Sequence, residues 1–257
     1  MPDRALVAVA HGSADPRAAA ALGELMPLVA RRAAARGLSV PDLRVAYLGH
    51  AAPSVPQVMR TFGPDTQVTV LPLLLTAAYH SKTDIPRVLA RAGTARLNVT
   101  YGTPLGPHPL LLRALERRLP ETAFENPAET GVVLAAAGSS DPEANATIAR
   151  LAAQWQAVAG WFAVRPAYAS AVRPTPAQAV TELLRAGARR VVVASYLLAP
   201  GLFADRIRDA ALAAGATEVS PALLPLPPAA AGGAIPEVAD IILDRYQEAA
   251  MRERTAA

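Results

Sequence analysis

Short apolar runs alternate with amphipathic stretches along the chain. The runs rich in Val, Leu, Ala and Tyr predict β-strands, which in the first half cover residues 5–10, 43–48, 67–75 and 96–101. Stretches with the helical spacing of apolar residues follow them, at 16–36, 54–61, 83–92 and 108–119. A regular alternation of strands and helices is typical of βαβ units, so we predict an α/β fold with a mainly parallel sheet.

The same order of elements occurs a second time. Residues 11–16 (HGSADP) match residues 137–142 (AGSSDP), which places His11 opposite Ala137. Three further blocks keep this order: 47–57 with 168–178, 68–75 with 190–198, and 109–118 with 236–245. The repeat predicts two tandem, doubly wound, flavodoxin-like domains with four-stranded sheets. We place them at residues 1–122 and 123–257, with a polar linker at 120–130 and a ligand cleft between them.

Several classes of site are excluded by composition and motifs. The chain has no cysteine, which rules out disulfides, thiolate metal sites and cysteine nucleophiles. A bound transition metal must therefore use histidine or carboxylate. The motifs GxxxxGK[ST], strand-linked GxGxxG, GxSxG and HExxH are missing, so an enzyme that uses ATP or a dinucleotide is disfavoured.

Charge and hydropathy limit the partners and the location. Residues 1–126 hold 14 Lys or Arg against 9 Asp or Glu, whereas residues 127–257 hold 11 against 12. The net +5 of the first half suits an anionic ligand, but scattered arginines and few aromatic residues disfavour nucleic acid. The longest apolar stretch, 191–204, is shorter than the ~20 residues that span a bilayer, and the N-terminal apolar run is too short for a signal peptide. We expect a cytoplasmic protein with no membrane-spanning helix.

All four histidines lie in the first repeat, each beyond the carboxyl end of a different predicted strand. They are His11, His50, His80 and His108. Ligands bind at this edge in open parallel sheets, so the pattern predicts a metal-handling cluster. A loop histidine is more often solvent-exposed or part of a helix start. His108, between two prolines, fits that interpretation best, and for His50 both interpretations stay open.

His11 and His80 have the most informative surroundings. His11 stands at a strand-to-helix turn where Gly12 permits close backbone approach, and where Ser13 and Asp15 can satisfy helix amides. His80 follows a buried strand and a run of small residues. A serine hydrolase that pairs Ser13 with His80 is a weak alternative, because a serine near a histidine is a frequent coincidence.

Four segments of the first repeat carry long motifs: AHGSADPR (10–17), VAYLGHAAPS (45–54), LPLLLTAAYHSKTDIPRVL (71–89) and PLGPHPLLLRALERR (104–118). They resemble the sirohydrochlorin chelatases, small class II chelatases that insert cobalt, nickel or ferrous iron into sirohydrochlorin and have ferrochelatase as a distant relative. The resemblance covers most of residues 5–120 and, more weakly, the second repeat. It is to the long, two-domain form of the family.

The resemblance implies insertion of a divalent metal, Co²⁺, Fe²⁺ or Ni²⁺, into sirohydrochlorin without a nucleotide. It implies that His11 and His80 face the metal as ligands and catalytic residues. A neutral imidazole suits both tasks, since it can ligate a borderline divalent ion and accept a pyrrole N–H proton. The anionic tetrapyrrole would meet the basic first repeat. Substrate contacts are expected from Gly12, Ser13, Arg17, His50, Tyr79, Ser81 and Lys82, with Arg87 as a further cation.

Two departures from the family's pattern affect these expectations. Family members usually have an acidic residue after the second strand, where this chain has Gly49, and we hypothesise that His50 partly substitutes for it. The second repeat has Ala137 opposite His11 and Phe203 opposite the other motif histidine. It is therefore expected to close the cleft without metal chemistry.

Two non-enzymatic alternatives stay open. One is a tetrapyrrole or metal carrier that keeps the cleft without turnover, and the other is a flavodoxin-like ligand-binding module with no metal role. The sequence leaves the metal and the pathway, sirohaem or cobalamin, undecided because all three metals accept imidazole. Internal duplication predicts a monomer, since the fused chain supplies both halves of a dimer.

Overall fold

Strands and helices alternate through both repeats, which confirms the α/β class. The computed structural model describes residues 4–40, 42–76, 84–92, 94–224 and 235–256. The strands are β1 (Arg4–Ala10), β2 (Asp42–Tyr47), β3 (Gln67–Pro72), β4 (Asn98–Tyr101), β5 (Thr130–Ala136), β6 (Ala163–Tyr168), β7 (Arg190–Tyr196) and β8 (Glu218–Val219). The helices are α1 (Pro16–Ala35), α2 (Val55–Met59), α3 (Ile85–Arg91), α4 (Pro109–Glu116), α5 (Pro142–Ala159), α6 (Pro176–Arg185), α7 (Leu202–Ala213) and α8 (Pro236–Ala256).

Both sheets consist of four parallel strands in the same order. The first sheet has the order β2-β1-β3-β4 and the second has β6-β5-β7-β8. In the first sheet, Ala8 of β1 lies opposite Val45 of β2 and Leu71 of β3. The shared strand order confirms that the sequence repeat is also a repeat of structure.

Each sheet is covered by helices on both faces, which explains why its strands are almost continuously apolar. In the first sheet, Val7 and Val9 are buried in a cluster with Val58 of α2 and Leu89 of α3. Leu6, whose side chain points to the opposite face, is also fully buried. α1 and α8, which contact each other, cover that face. Helices on both faces of a parallel sheet make the predicted doubly wound arrangement.

The chain divides into two compact units that exchange the terminal helices of the repeats. One unit comprises Met1–His108 with Leu226–Ala257, and the other comprises Pro109–Pro225. α8 of the second repeat therefore packs with β3 and β4, and α4 of the first repeat packs with β7. The predicted division between residues 122 and 123 follows the sequence repeats, and it differs from this packing in the placement of the two helices.

Two carboxylates of α8 pair with two arginines of α1. Asp240 accepts a hydrogen bond from Arg32, whose Nη2 lies 2.6 Å from Oδ2, and its Oδ1 lies 2.8 Å from Nη2 of Arg36. Asp244 accepts a further bond from Nη1 of Arg36 at 2.7 Å. The hydrogen bond to Asp240 raises the pKa of the Arg32 guanidinium, which therefore stays charged. These pairs attach α8 to the first unit.

The charge pattern distinguishes α8 from α4 as the partner of α1. When the repeats are aligned, Arg113 of α4 and Arg117, directly after α4, take the positions of Asp240 and Asp244. A terminal helix that stayed with its own repeat would therefore bring like charges to the arginines of α1. Like charges placed opposite each other are destabilising, so the exchange puts acidic residues where basic ones would repel.

We expect Asp240→Asn to lower the free energy of unfolding by about 1 kcal/mol. Hydrogen bonds to charged groups contribute more than neutral ones, but the partly exposed arginines reduce the effect through solvent screening. Asp209→Asn is the matched control, because Asp209 pairs with Arg208 on an exposed surface and its side chain is 69% exposed. Urea unfolding of both variants measures the difference. An Asp240→Asn protein as stable as the control would contradict the assigned role of this pair.

α4 is held in the second unit by a buried tryptophan. Trp155 of α5 is fully buried, and its Nε1 donates to Oε1 of Glu116 at 3.0 Å. Just after α4, Nη2 of Arg118 donates to the carbonyl of Leu223 at 3.0 Å. The helix is thus tied to α5 and to the segment that follows β8.

Residues 120–130 were expected to form a linker, and this prediction was wrong. They form two short 3₁₀ helices, Glu121–Phe124 and Pro127–Glu129, inside the second unit. Ala123 is fully buried while its polar neighbours are exposed, so a polar composition here marks a surface turn. Among the described helices, none has the length and apolarity to cross a bilayer.

Candidate functional site

The carboxyl ends of β1 and β3 mark the point where the first sheet changes its direction of winding. From β1 the chain continues to its neighbour β2 on one side, and from β3 it continues to β4 on the other. Loops that leave two such strands diverge and open a crevice, which is where open α/β sheets bind ligands. His11 directly follows β1 and is exposed, so it lies at this crevice.

Four of the predicted site residues lie outside the described residues: Tyr79, His80, Ser81 and Lys82. They follow β3 in the chain. Leu73, directly after β3, continues the pairing with β1, because its N–H donates to the carbonyl of Val9 at 2.7 Å. The roles expected of these four residues, including metal ligation by His80, stay predictions.

The loop after β1 contacts the loop after β2 through backbone atoms. The N–H of Gly49 donates to the carbonyl of His11 at 3.2 Å. Gly12 has a φ of +88°, and a β-carbon added there would lie 1.7 Å from the carbonyl oxygen of Gly49. Only glycine allows this approach. Gly49 is thus a packing partner of the His11 loop, a role that the sequence did not indicate.

Ser13 and Asp15 fix the turn into α1. The Asp15 carboxylate accepts a bond from the N–H of Arg17 at 3.0 Å, and the Ser13 hydroxyl accepts one from the N–H of Asp15 at 3.1 Å. Nε of Arg17 also donates to both carboxylate oxygens, at 3.0 and 3.1 Å. These bonds hold the pKa of Asp15 below its ordinary value. Arg17 thus belongs to an ion pair, and an anionic ligand would compete with Asp15 for it.

His50 is exposed and has a left-handed backbone conformation, with a φ of 61°. This conformation is unfavourable for a residue with a β-carbon by roughly 1–2 kcal/mol. Ala171, in the corresponding loop of the second repeat, has a φ of 67°. The conformation therefore belongs to the loop that both repeats share, and it directs whichever side chain occupies the position.

His108 lies beside α8. Its Nε2 is 3.8 Å from Oδ2 of Asp244. Burial, with Arg245 nearby, lowers the pKa of His108, while Asp244 and Glu248 oppose this shift, so the imidazole is neutral at pH 7. This position agrees with its interpretation as a helix-start residue. Within the described part of the chain, no three histidine or carboxylate side chains form a group that could hold a metal ion.

Packing reduces the charge contrast between the two halves. Residues 1–108 carry +5 and residues 226–257 carry −2, which leaves +3 on the first unit and +1 on the second. The contrast of +5 and −1 between the sequence halves is therefore smaller between the folded units. The first unit keeps a net positive charge, which favours an anionic ligand.

One difference between the repeats lies at the start of α1 and α5, and the sequence motifs did not indicate it. In the second repeat, Oδ1 of Asn145 accepts a bond from the N–H of Ser139 at 3.0 Å, and Nδ2 donates to the Ser139 carbonyl at 2.7 Å. Asn145 lies four residues into α5, and the same position of α1 is Ala19. Comparing the two aligned helix starts would have revealed this polar residue opposite a small one.

Comparisons with known proteins agree with the fold and the repeat. The family model described as CbiX matches residues 5–122 and again 131–249. A sirohydrochlorin cobaltochelatase from Priestia megaterium is 31% identical over 147 residues, which are 55% of this chain and 48% of that protein. A sirohydrochlorin ferrochelatase from Bacillus subtilis (strain 168) is 27% identical over 176 residues, 66% of each chain. The match thus spans about half the length of the first relative.

Two solved structures show the same fold over almost the whole chain. SirB from Bacillus subtilis with Fe³⁺ has a TM-score of 0.78 at 24% identity, with 98% of both chains covered. CbiX, described as the terminal enzyme for biosynthesis of siroheme in denitrifying bacteria, has a TM-score of 0.66 at 24% identity, with 96% of this chain and 99% of that chain covered. Since the family model matches both repeats, this chain belongs to the CbiX family.

Proposed function

We propose that the protein is a metal chelatase that inserts Co²⁺ or Fe²⁺ into sirohydrochlorin without ATP. The observation that carries the proposal is His11, an exposed imidazole at the switch point of the first sheet, on a loop fixed by the contact between Gly12 and Gly49. Family membership and the names of the relatives support the substrate and the reaction class. Because Ala137 replaces His11 in the second repeat, the metal chemistry is assigned to the first.

The reaction needs a group that presents the metal and a base for the pyrrole N–H protons. A neutral imidazole can ligate a borderline divalent metal, and near neutral pH it can accept a proton. Bonds from the macrocycle nitrogens to the metal replace the N–H bonds, and the released protons pass to base and solvent. Metal coordination drives this exchange, so the proposal includes no nucleotide. His80 is proposed as the second imidazole of the site.

The absorbance change on metal insertion tests the proposal. The purified chain, mixed with sirohydrochlorin and Co²⁺ in the absence of ATP, is expected to form the metallated product faster than the uncatalysed mixture. Binding of sirohydrochlorin without acceleration would contradict an enzyme and favour the carrier. Equilibrium dialysis that finds no histidine-dependent Co²⁺ binding would favour a ligand-binding module without a metal role.

The proposal extends to cobalamin or sirohaem biosynthesis in the cytoplasm, by a monomer that binds no nucleic acid. Initial rates with Co²⁺, Fe²⁺ and Ni²⁺ at equal concentration would identify the metal that the protein prefers. Light scattering coupled to size-exclusion chromatography would measure the molar mass in solution, which is 26.7 kDa for a monomer.

We expect His50→Ala to slow metal insertion about tenfold, if His50 supplies part of the function of the missing acidic residue. The substitution isolates the imidazole, because Ala171 shows that alanine is accommodated in the corresponding left-handed position. Melting temperature should stay close to that of the unchanged protein. Insertion at the normal rate by the folded variant would refute the hypothesis for His50.

We expect Gly49→Glu to bind Co²⁺ about tenfold more tightly than the unchanged protein, because it restores a carboxylate next to the His11 loop. A β-carbon at Gly49 meets no heavy atom within 4 Å, and the backbone there is not left-handed, so the change should be tolerated. Gly49→Gln adds the same bulk without charge and is the control. Equal Co²⁺ affinities for the two variants in calorimetric titration would contradict this expectation.

A further inference from the structure

The segment between β4 and α4 supports the carboxyl end of β3. Within residues 104–107, the N–H of Gly106 donates to the carbonyl of Leu74 at 3.2 Å. Leu105 is fully buried, so this segment packs as part of the unit. On the other side, Leu73 bonds to β1. The two residues directly after β3 are therefore held between β1 and residues 104–107.

One arginine of α8 holds residues 104–107 by their backbone carbonyls. Nε of Arg245 donates to the carbonyl of Pro104 at 2.9 Å. Its Nη2 donates to the carbonyls of Pro107 at 3.0 Å and Leu105 at 3.4 Å. Its Nη1 bonds to both carboxylate oxygens of Glu248, at 3.0 and 2.9 Å, and the Arg245 side chain is only 15% exposed. A planar guanidinium with five donors in fixed directions suits this set of acceptors, whereas the single ammonium group of lysine lacks the fork.

The second unit has an equivalent arginine, which comes from the first repeat. Arg118, directly after α4, aligns with Arg245, and its Nε and Nη2 donate to the carbonyl of Leu223 at 3.3 and 3.0 Å. Leu223 follows β8, and its N–H donates at 2.8 Å to the carbonyl of Leu197, which directly follows β7. Each exchanged terminal helix thus brings an arginine to the segment that supports the third strand of the sheet it joins.

We propose that Arg245 is a positioning residue for the metal site, because it fixes residues 104–107 and through them the end of β3, from which the chain continues to His80. The inference rests on the proposed function and goes beyond it, since it gives the second repeat a part in the chemistry of the first. The second repeat has no histidine of its own, but its last helix supplies Arg245. Loss of a group that orients a metal ligand typically lowers metal affinity or activity about 10–100-fold.

The test compares Arg245→Met with Arg118→Met in the full-length protein. Methionine keeps an unbranched, flexible stem and removes every N–H donor of the side chain. Both variants are expected to melt at a lower temperature, because each loses hydrogen bonds between a guanidinium and the backbone. Arg245→Met is also expected to raise the Kd of Co²⁺ about tenfold and to lower kcat for insertion about tenfold, with KM for sirohydrochlorin within about twofold. For Arg118→Met, the Kd and kcat should stay within about twofold of the unchanged protein.

A double substitution tests whether Arg245 acts through His80. In the His80→Ala protein the second imidazole is absent, so adding Arg245→Met is expected to change the Kd of Co²⁺ by less than about twofold. A general loss of stability would weaken binding equally in both backgrounds. Arg245→Lys keeps the charge and part of the donor set, and its Kd should rise only about threefold.

Calorimetric titration with Co²⁺, at a temperature at which the variants are folded, gives the Kd values. A Kd for Arg245→Met equal to that of the unchanged protein overturns the proposal. An equal rise for Arg118→Met also overturns it, and so does a tenfold rise that persists in the His80→Ala background.

If Arg245→Met does not fold, Arg245→Lys and Arg118→Lys carry the same comparison. A rise in Kd of about threefold for Arg245→Lys alone supports the proposal, and equal Kd values for the two lysine variants overturn it. An unchanged protein that binds no Co²⁺, or inserts none, instead contradicts the proposed function, so the two failures are distinguishable.

Discussion

Replacing His11 with alanine is expected to lower the rate of metal insertion about a hundredfold or more while the protein stays folded. The imidazole is exposed and makes no part of the buried core, so its loss would remove the proposed metal ligand and proton acceptor with little effect on packing. Removal of a general base typically reduces a rate by about 10²–10⁴. Initial rates with saturating Co²⁺ and the melting temperature are the two measurements.

The matched control for this substitution is His108→Gln. Like His11, His108 lies beyond the end of a strand of the first repeat, but it stands beside Asp244 of α8. Its replacement should leave the rate within about twofold of the unchanged protein, because it is placed at a helix start and away from the switch point. If both variants lost activity equally, or if His11→Ala kept the full rate, His11 would have no special part in the chemistry.

Gly12→Ala is expected to destabilise the protein by at least about 3 kcal/mol, or roughly 10 °C in melting temperature. Two causes add. The φ of +88° is unfavourable for any residue with a β-carbon, and that carbon would lie 1.7 Å from the carbonyl oxygen of Gly49, a backbone atom that cannot rotate away. Thermal and urea unfolding measure the change. The loss of the close contact should also impair metal insertion, because it displaces the neighbouring His11.

Gly23→Ala is the control for the effect of a methyl group as such. Gly23 lies in α1, and a β-carbon there meets no heavy atom within 4 Å. Alanine in the interior of a helix is more favourable than glycine by about 0.5–1 kcal/mol, so this variant should be slightly more stable. If Gly12→Ala and Gly23→Ala had the same melting temperature, the loops after β1 and β2 would not be packed as closely as Gly12 and Gly49 are here.

The strands, the helix starts and the repeat could be predicted from sequence because each has a local cause. Apolar runs predicted all four strands of the first sheet, although β3 ends at Pro72 and β4 begins at Asn98, inside the predicted limits. Asp15 and Asp141 cap the starts of α1 and α5, as their positions in the sequence indicate. Such signals operate over a few residues, so one sequence is enough to recognise them.

The exchange of α4 and α8 could not be predicted, because an amphipathic helix presents the same apolar stripe to either sheet. What distinguishes the two is the pairing of Arg32 with Asp240 across more than 200 residues of chain, which follows from the folded arrangement alone. The sequence halves also suggested a stronger charge contrast than the units carry, since α8 brings its carboxylates to the first unit. Long-range charge complementarity is visible only once the packing is known.

The site was predictable in its framework and less so in its details. Gly12 and Ser13 act on the turn as their residue types indicate. The sequence did not show that Asp15 binds the Arg17 side chain, or that the loop imposes a left-handed conformation on His50. Both depend on how a side chain or a loop packs against its neighbours, and no local sequence pattern specifies that packing.

The most direct test of the account is whether the protein turns over. With sirohydrochlorin and Co²⁺ in tenfold excess over the purified chain and no nucleotide present, we expect all of the tetrapyrrole to be metallated, at a rate proportional to protein concentration and lowered about a hundredfold or more by His11→Ala. Product formation that stops at one equivalent of protein, or that proceeds at the rate of the protein-free mixture, would contradict it.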